Sequence, residues 1–426
     1  MKVLLVSNFF YPRGGDCTYL RSVQSMLERD GHEIAIFSTQ HEGNWPLPAA
    51  GGILIPAIDY AAANHKKSLF SAVAVLRRSI WNAESARAME RLLSSWRPDI
   101  AHLQNIHAYL TPSILPILKK HHIPIVQTLH DYKWLCPDST FLSNGTPCEK
   151  CHGRAFWHCL AGRCKKGSLA ASAVTAAEGY VHRLRRVSSM VDLFIAPSHF
   201  IADKFMENGF PAHKIHVLLN PLPELSASSQ SQPRPSVPYG LFVGSLAPIK
   251  GVDVFLRAAA LIPSHPVHIV GPGASEDLAR LKTLVADLGI ASRVTFTGPL
   301  HGAELLRERA SALYGVIPSI CPETLGYTAM EMLATGKPVI AADIGGIPDL
   351  IQHEKTGLLV PPNDPDALAA AIRRLLADSG LAASLARAGR EFVRSTCSPA
   401  AYLPALLTRY RSLVTSAPNS DSRVVP

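Results

Sequence analysis

Two glutamates spaced eight positions apart are the residues of this chain best placed to do chemistry. Glu323 and Glu331 bound the segment E-T-L-G-Y-T-A-M-E, which follows a buried apolar run and a Cys-Pro turn. Residues 324–334 predict a helix, because Gly336 and Pro338 provide its stop. Carboxylates at such positions accept hydrogen bonds from the hydroxyl groups of a bound ligand. Taken alone, the same glutamates are better explained as a helix cap and a solvent-exposed side chain.

The glycine inside this segment predicts an anion-binding turn. Gly326 falls in the first turn of the predicted helix, where it lets a ligand approach main-chain N–H groups that have no helical partner. Those donors and the helix dipole favour an anion. A nucleotide sugar matches the whole segment, since it carries a diphosphate together with sugar and ribose hydroxyls.

The elements that must position these residues alternate between strands and helices along most of the chain. Such alternation predicts an α/β architecture with parallel sheets and helices on both faces. A length of 426 residues indicates two domains. We expect an N-terminal domain over 1–220, a linker rich in Ser, Gln and Pro over 221–238, and a second domain over 239–398. A helix over 399–415 and a loose tail over 416–426 follow.

Two loops at predicted strand ends add candidates for phosphate binding. In open α/β sheets, ligands bind beyond the carboxyl ends of the strands, so two such domains place their ligands in a cleft between them. Gly14 and Gly15 follow the first strand, and the loop V-G-S-L-A-P-I-K-G with Ser245 and Lys250 opens the second domain. Lys250 precedes a helix, where a cation is unfavourable for the helix dipole, and a phosphate ligand would explain it.

These motifs resemble the E-x7-E region of the retaining glycosyltransferases of family 4, whose GT-B fold has two Rossmann-like domains facing each other across a cleft. The phrases G-K-P-V-I-A-A-D-I-G-G-I-P-D and T-G-L-L-V-P-P-N-D-P-D-A-L match the family as well. The resemblance implies that Glu323 faces the donor sugar and that Glu331 holds the donor ribose. It implies that His130, which ends the strand P-I-V-Q-T-L-H-D, lies near the reacting sugar. It also implies that the helix over 399–415 packs back on the N-terminal domain.

The resemblance then yields a complete set of site residues. The predicted catalytic residues are His130, Lys250 and Glu323. The predicted donor-binding residues are Gly14, Gly15, Gly244, Ser245, Lys250, Glu323, Leu325, Gly326, Tyr327, Thr328 and Glu331. The family has an arginine where this chain has Ser245, which removes a bidentate phosphate donor that a lysine does not imitate. Either Ser245 and main-chain amides suffice, or an arginine comes from elsewhere in the fold.

Five of the eight cysteines fall between positions 136 and 164. The two close pairs among them have the spacing of ligands to a tetrahedral structural zinc ion. The predicted ligands are Cys148, Cys151, Cys159 and Cys164, with Cys136, His152 and His158 as substitutes. Disulfides and free thiols are the alternatives, and a cytoplasmic enzyme disfavours disulfides. A subset of the family carries a similar cysteine-rich insertion, which here spans 131–167.

A net charge of +9 favours an anionic partner. Basic residues cluster in the first half, at Lys66-Lys67, Arg77-Arg78, Lys119-Lys120, Lys165-Lys166 and Arg183, Arg185 and Arg186. Together they predict peripheral attachment to an anionic membrane, to which each basic residue near the surface contributes roughly 1 kcal/mol. No run of eighteen apolar residues or nucleic-acid motif is present, and the start of the chain is typical of a buried strand. We therefore expect a cytoplasmic protein on the inner face of the membrane.

The resemblance therefore implies a retaining glycosyltransferase that uses a nucleoside-diphosphate sugar, and we expect it to act in the synthesis of cell-surface polysaccharide or lipid-linked saccharide. No Asp-x-Asp metal motif stands out, so we expect chemistry without a divalent metal. Three alternatives remain. One is an epimerase or phosphorylase with the same fold, another is a nucleotide-sugar-binding protein with impaired catalysis, and the last is a zinc-dependent interaction module.

Overall fold

The computed structural model describes residues 1–58, 69–223 and 238–416. Most of the expected linker, at 224–237, and all of the expected tail beyond residue 416 lie outside the described residues. So do Lys66 and Lys67 of the predicted basic clusters. Among the described helices, none has the length and apolar character needed to cross a membrane.

The first half of the chain forms a parallel sheet of seven strands and a small antiparallel hairpin. The strands are β1 (Lys2–Val6), β2 (Glu33–Thr39), β3 (Gly52–Ile55), β4 (Ile100–Leu103), β5 (Ile125–Thr128), β6 (Leu142–Ser143), β7 (Thr146–Pro147), β8 (Leu193–Ala196) and β9 (Ile215–Val217). The sheet has the order β3-β2-β1-β4-β5-β8-β9, and β6 and β7 form the hairpin.

Helices cover both faces of this first sheet, which explains why β1, β4 and β8 are almost continuously apolar. They are α1 (Gly15–Arg29), α2 (Leu69–Ile80), α3 (Ala83–Ser95), α4 (Leu115–Lys120), α5 (Trp157–Ala161), α6 (Leu169–Leu184) and α7 (His199–Glu207). Separate hydrophobic cores fill the two sides of the sheet.

The second half repeats the plan with a six-stranded parallel sheet. Its strands are β10 (Gly240–Val243), β11 (Val267–Val270), β12 (Val294–Gly298), β13 (Tyr314–Ile317), β14 (Val339–Ala342) and β15 (Leu358–Val360), in the order β12-β11-β10-β13-β14-β15. Its helices are α8 (Val252–Ala260), α9 (Ser275–Asp287), α10 (Gly302–Ser311), α11 (Tyr327–Ala334), α12 (Pro365–Ala377) and α13 (Ser379–Thr396). The predicted α/β class with parallel sheets is confirmed.

The last helix, α14 (Pro399–Ser416), follows the second sheet in the chain but packs against α1 of the first half. Buried hydrogen bonds fix it there. The Tyr402 hydroxyl lies 2.6 Å from that of Tyr19, and the Tyr410 hydroxyl lies 2.6 Å from Nδ1 of His102. Because these side chains are fully buried, the contact holds the two halves together through a packed core.

In both sheets the strand order reverses at one point, between β1 and β4 and between β10 and β13. At such a switch point the neighbouring loops diverge to opposite faces and leave a crevice for a ligand. The loops that follow these four strands therefore form the ligand-binding edge of each sheet.

Candidate active site

The loops at the carboxyl ends of both sheets enclose a cleft of about 590 Å³. Every residue that the sequence predicts as catalytic or donor-binding lines this cleft. These residues are Gly14, Gly15, His130, Gly244, Ser245, Lys250, Glu323, Leu325, Gly326, Tyr327, Thr328 and Glu331. Residues that are more than three hundred positions apart in the chain thus meet around one space of the size that a nucleotide sugar needs.

Glu323 and Lys250 form an ion pair on the wall built by the second sheet. Nζ of Lys250 and Oγ of Ser319 each donate a hydrogen bond of 2.6 Å to Oε1 of Glu323. Burial raises the pKa of Glu323, but Lys250 and Ser319 outweigh burial and hold the pKa below its ordinary value. Burial lowers the pKa of Lys250, but the attraction of Glu323 outweighs burial and holds this pKa above its ordinary value. Both groups are therefore charged at neutral pH.

Ser319 therefore has a role that its sequence context did not indicate. Its position after a strand predicts a helix cap, as is found for Ser198, whose hydroxyl accepts a hydrogen bond from the N–H of Ile201. Ser319 instead donates to the Glu323 carboxylate. The cap prediction is wrong for Ser319, because the chain makes a loop after β13 and α11 begins only at Tyr327.

The Gly-Gly pair at 345–346 supports the loop that carries Glu323. Gly345 has φ +62°, and a side chain there would come within 2.5 Å of the main-chain N and O of Glu323. The N–H of Gly346 donates to the Glu323 carbonyl at 2.7 Å. From the opposite half, the Tyr132 hydroxyl donates to the same carbonyl at 3.3 Å. This loop is thus fixed from both halves of the protein.

Helix α11 begins later than its sequence pattern predicts. The expected start was residue 324, but Gly326 is the N-cap, with φ +98°, and the helix runs over Tyr327–Ala334. The left-handed conformation of Gly326 turns the chain out of the loop after Glu323, and only glycine adopts it without strain. Among the described residues, no side chain caps this end. The first N–H groups of α11, including that of Thr328, therefore remain available to an anion at the cleft.

Two neighbouring residues that are predicted to bind the donor, Leu325 and Tyr327, have different surroundings in the structure. Leu325 lines the cleft, and its side chain is fully buried in the hydrophobic core of the second half, where it anchors the loop. The ring of Tyr327 packs against Gly15 of the opposite half, and its hydroxyl oxygen is buried without a hydrogen-bond partner among the described residues. Tyr327 thus joins the glycine-rich loop to the start of α11.

Glu331, the second glutamate, has a partner that the sequence did not reveal. Nη2 of Arg309, on α10, donates a hydrogen bond to Oε2 of Glu331. Burial raises the pKa of Glu331, and Arg309 partly opposes that rise. The expected solvent-exposed position is therefore wrong, since the Glu331 side chain is largely buried and borders the cleft.

Ser245 is exposed at the cleft and cannot supply the missing positive charge. Its hydroxyl oxygen accepts a hydrogen bond of 3.2 Å from the N–H of Ala247, which leaves its proton free to donate. Arg13 is the arginine among the described residues that line the cleft. It precedes the Gly14-Gly15 pair, and its guanidinium stacks 3.9 Å from the centroid of the Phe9 ring. Its side chain remains 49% exposed.

His130 lies on the wall built by the first sheet. Its Nε2 is 2.6 Å from Oε1 of Gln104, and the edge of the Tyr19 ring packs against it. Burial lowers the pKa of His130 to about 4, although the nearby Asp16 carboxylate opposes the shift. His130 is therefore neutral at physiological pH, and it can orient a sugar hydroxyl but does not neutralise a phosphate.

Sequence reasoning missed other polar residues that the fold brings to the site, among them Arg13, Asp16, Asn105 and Arg309. Nδ2 of Asn105 donates to Oδ2 of Asp16 at 3.1 Å, and both side chains line the cleft. Arg13 was detectable, since a cation beside a glycine pair is a phosphate-binding signal. Asn105 follows β4 at the switch point, a position that becomes informative only once the strand order is known. Arg309 carried no sequence signal.

The insertion brings its cysteines close together. Burial and four neighbouring thiols, those of Cys136, Cys148, Cys159 and Cys164, raise the pKa of Cys151 to about 12. In the part of the chain that the structure describes, however, no three His, Cys, Asp or Glu side chains are arranged to hold a metal ion. His152 and His158 do not complete such a group either. Sγ of Cys164 instead donates to Oγ of Ser143, and Sγ of Cys159 lies 3.8 Å from Oγ1 of Thr175.

Two facing Rossmann-like sheets with a polar cleft between them define a protein with the GT-B fold. Solved structures support this class. Sucrose-phosphate synthase from Thermosynechococcus elongatus matches with a TM-score of 0.72 and 22% identity, over 97% of this chain and 99% of that chain. The HepE protein of Anabaena, in complex with UDP-glucose, matches with a TM-score of 0.66 and 18% identity, over 97% and 100%.

Family models cover both halves of the chain. The model "Glycosyltransferase Family 4" matches residues 13–223, and the model "Glycosyl transferases group 1" matches residues 237–378. The chain belongs to glycosyltransferase family 4, and the predicted family and GT-B fold are confirmed.

Two curated glycosyltransferases are similar in sequence to part of this chain. A D-inositol 3-phosphate glycosyltransferase of Acidothermus cellulolyticus is 40% identical over 158 residues, 34% of this chain and 35% of the relative. An uncharacterised glycosyltransferase of Methanocaldococcus jannaschii is 36% identical over 141 residues, 33% of this chain and 36% of the relative. The chain thus spans about a third of the length of these curated relatives.

Proposed function

We propose that the protein moves a sugar from a nucleoside-diphosphate sugar to an acceptor hydroxyl with retention of the anomeric configuration. The pairing of Lys250 with Glu323 beside the uncapped start of α11 carries this proposal. In this proposal the cation and the free N–H donors bind the diphosphate, and the carboxylate stabilises the sugar as it gains positive charge. We propose that Ser319 keeps this carboxylate correctly oriented.

In the proposed reaction, the bond between the anomeric carbon and the diphosphate oxygen breaks as the sugar gains oxocarbenium character. The acceptor oxygen attacks the same face, and its proton passes to the departing diphosphate. Lys250 and the N–H groups of Tyr327 and Thr328 stabilise the charge that accumulates on the leaving group. Neutral His130 orients a hydroxyl of the transferred sugar. The chain itself supplies the charges for each step, so we propose that omitting Mg²⁺ leaves turnover unchanged.

The test of this function begins with donor binding. The HepE complexes contain UDP and UDP-glucose, which makes uridine donors the first to examine. Thermal-shift measurements with UDP-, GDP- and ADP-linked sugars should identify a donor that raises the melting temperature, because a ligand that binds only the folded protein stabilises it. NMR of the anomeric proton in the product then distinguishes retention from inversion. Absence of any donor-dependent stabilisation would reject the proposal.

We propose that Arg13 supplies the positive charge that Ser245 lacks. Replacing Arg13 with methionine should weaken binding of the diphosphate donor by about tenfold to a hundredfold, as expected for lost hydrogen bonds to a charged group. Isothermal titration with the donor measures this effect. Arg21, on α1, offers a matched control. Its guanidinium lies near the Trp45 ring, and Arg21 is not among the residues that line the cleft. If Arg13→Met changes only the acceptor KM, Arg13 binds the acceptor and this assignment is wrong.

A second candidate function is a nucleotide-sugar-binding protein with impaired catalysis. Ser245 favours it, because a weaker positive environment would stabilise the leaving group less. Incubation with the bound donor and a panel of glycoside, lipid and inositol phosphate acceptors separates the two functions. Donor binding without transfer or hydrolysis would favour the binding protein.

We propose a lipid-linked or polysaccharide acceptor at the cytoplasmic face of a membrane. The cysteine-bearing insertion and α6 expose large apolar side chains, with Trp157 54% and Leu184 82% exposed. Several predicted basic residues are already paired, such as Lys119 with Asp192, so the available charge is smaller than the sequence indicates. Sedimentation with phosphatidylglycerol vesicles, compared with phosphatidylcholine vesicles, tests this attachment. Equal and negligible sedimentation with both would reject it.

We also propose that the insertion binds one structural zinc ion through Cys148, Cys151, Cys159 and Cys164. Their mutual proximity supports it, because four thiolates are a suitable donor set for tetrahedral zinc. Elemental analysis by mass spectrometry should find one zinc per chain, which Cys148→Ser removes. The buried Cys397 lies outside the insertion, and Cys397→Ser is the control. Zinc-free protein with unchanged stability would contradict this proposal.

A further inference from the structure

We propose that Arg309 positions Glu331 for the donor ribose and thereby gives the cleft its preference for ribonucleotides. Arg309 acts through Glu331, so it is a positioning residue, and this inference rests on the proposed function. It extends that function by naming a residue of the second half that nothing in the sequence motifs indicates.

Arg309 lies next to the cleft and is almost fully buried. Arg309 follows Leu305 by four residues on α10, and this spacing puts both side chains on one face of the helix. Leu305 lines the cleft, whereas Arg309 lies beneath it and is only 4% exposed. A guanidinium is rarely buried to this extent without a charged partner. The partner found here is Glu331.

The hydrogen bonds indicate that Arg309 orients Glu331 and does not tie neighbouring loops together. Within the described residues, the single hydrogen bond of the Arg309 side chain goes to Oε2 of Glu331, and its Nε is buried without a partner. Arg293, in contrast, is a structural arginine that donates to the carbonyls of Ala259, Ile262 and His265. An arginine that merely held loops together would resemble Arg293.

This pairing prepares one carboxylate oxygen for a ligand. Oε2 of Glu331 is occupied by Arg309, and Oε1 receives no hydrogen bond from the described parts of the chain. Because the guanidinium is rigid and planar, it fixes the direction in which the free oxygen points. The positive charge also opposes the burial that raises the pKa of Glu331. An ionised carboxylate accepts hydrogen bonds from ribose hydroxyls more strongly than a neutral acid does.

The test compares nucleotides that differ only in the ribose hydroxyls. Binding of UDP, GDP and ADP is measured against their 2′,3′-dideoxy counterparts by isothermal titration. The unaltered protein should prefer the ribose form by about tenfold to a hundredfold, the loss expected for hydrogen bonds to a charged group. Arg309→Met should abolish most of this preference. Arg309→Lys should restore part of it, because lysine keeps the charge but not the planar fork.

Arg293→Met is the matched control. It removes three structural hydrogen bonds from the same half of the protein, so it should lower the melting temperature and leave the ribose preference intact. A full preference in Arg309→Met overturns the inference. If Arg309→Met does not fold, Arg309→Lys is measured in its place. A ribose preference in Arg309→Lys equal to that of the unaltered protein then overturns the inference. If the unaltered protein binds none of the nucleotides, the proposed function fails first and this inference with it.

Discussion

Replacing Lys250 with alanine is expected to lower the turnover number of sugar transfer by about 10²- to 10³-fold, the usual effect of removing one group that stabilises a developing negative charge. Lys250 is the lysine of the described cleft, and its ammonium lies 2.6 Å from Oε1 of Glu323. A bound diphosphate would share this ammonium. Turnover is measured with saturating donor and acceptor, and circular dichroism verifies the fold.

Arginine should not fully recover the loss, because its planar guanidinium does not reproduce the single-point contact of the Lys250 ammonium with Oε1 of Glu323. Lys282, exposed on α9, provides the control, and Lys282→Ala should behave as the unaltered protein. Turnover of Lys250→Ala within threefold of the unaltered protein would remove Lys250 from the mechanism. A matching loss of binding to UDP alone would show that Lys250 acts on the diphosphate.

Replacing Glu323 with glutamine should lower turnover by a similar factor, about 10²- to 10³-fold, with little effect on donor affinity. Glutamine keeps an acceptor oxygen for Lys250 and Ser319, so the loop should hold its shape. It loses the negative charge that stabilises the oxocarbenium character of the sugar. Single-turnover measurements isolate this chemical step from binding and product release.

The control for Glu323 is Glu308, which lies half-buried on α10 and pairs with His268 at 2.5 Å. Glu308→Gln removes a comparable carboxylate that does not line the cleft, so it should retain turnover. Retained turnover in Glu323→Gln would show that only the shape of the loop matters. Equal losses in both variants would indicate a general effect on stability.

The pH dependence of turnover should follow the ionisation of Glu323. Its pKa in the folded protein is held below the ordinary value, so the carboxylate stays ionised well into the acid range. The stabilising pairing with Lys250 is present above the ordinary pKa of a glutamate and is lost as pH falls through the lower folded value. In Lys250→Ala, burial acts with only Ser319 opposing it, so the acid limb of the residual activity should move to higher pH.

Much of the fold was readable from local patterns. Buried strands such as Lys2–Val6 and Val339–Ala342 are nearly continuous apolar runs, because helices cover both faces of a parallel sheet. The start of α12 at Pro365 is equally readable, because its cap, Asp364, is the residue immediately before it. The E-x7-E segment and the loops at strand ends were readable for the same reason, since turn and cap chemistry depends on nearest neighbours in the chain.

The pairings inside the site were decided only by tertiary structure. Arg309 meets Glu331 across twenty-two positions, and Arg13 enters the cleft from the half opposite to Ser245. Nothing in the sequence around Arg309 distinguishes it from a solvent-exposed charge, and the glycine pair beside Arg13 does not show which loop Arg13 faces. The sequence thus determined which loops carry the chemistry, because strand ends and glycine turns are local properties. Which charges face each other followed from the strand order and the packing of α10 on α11, which depend on the whole chain at once.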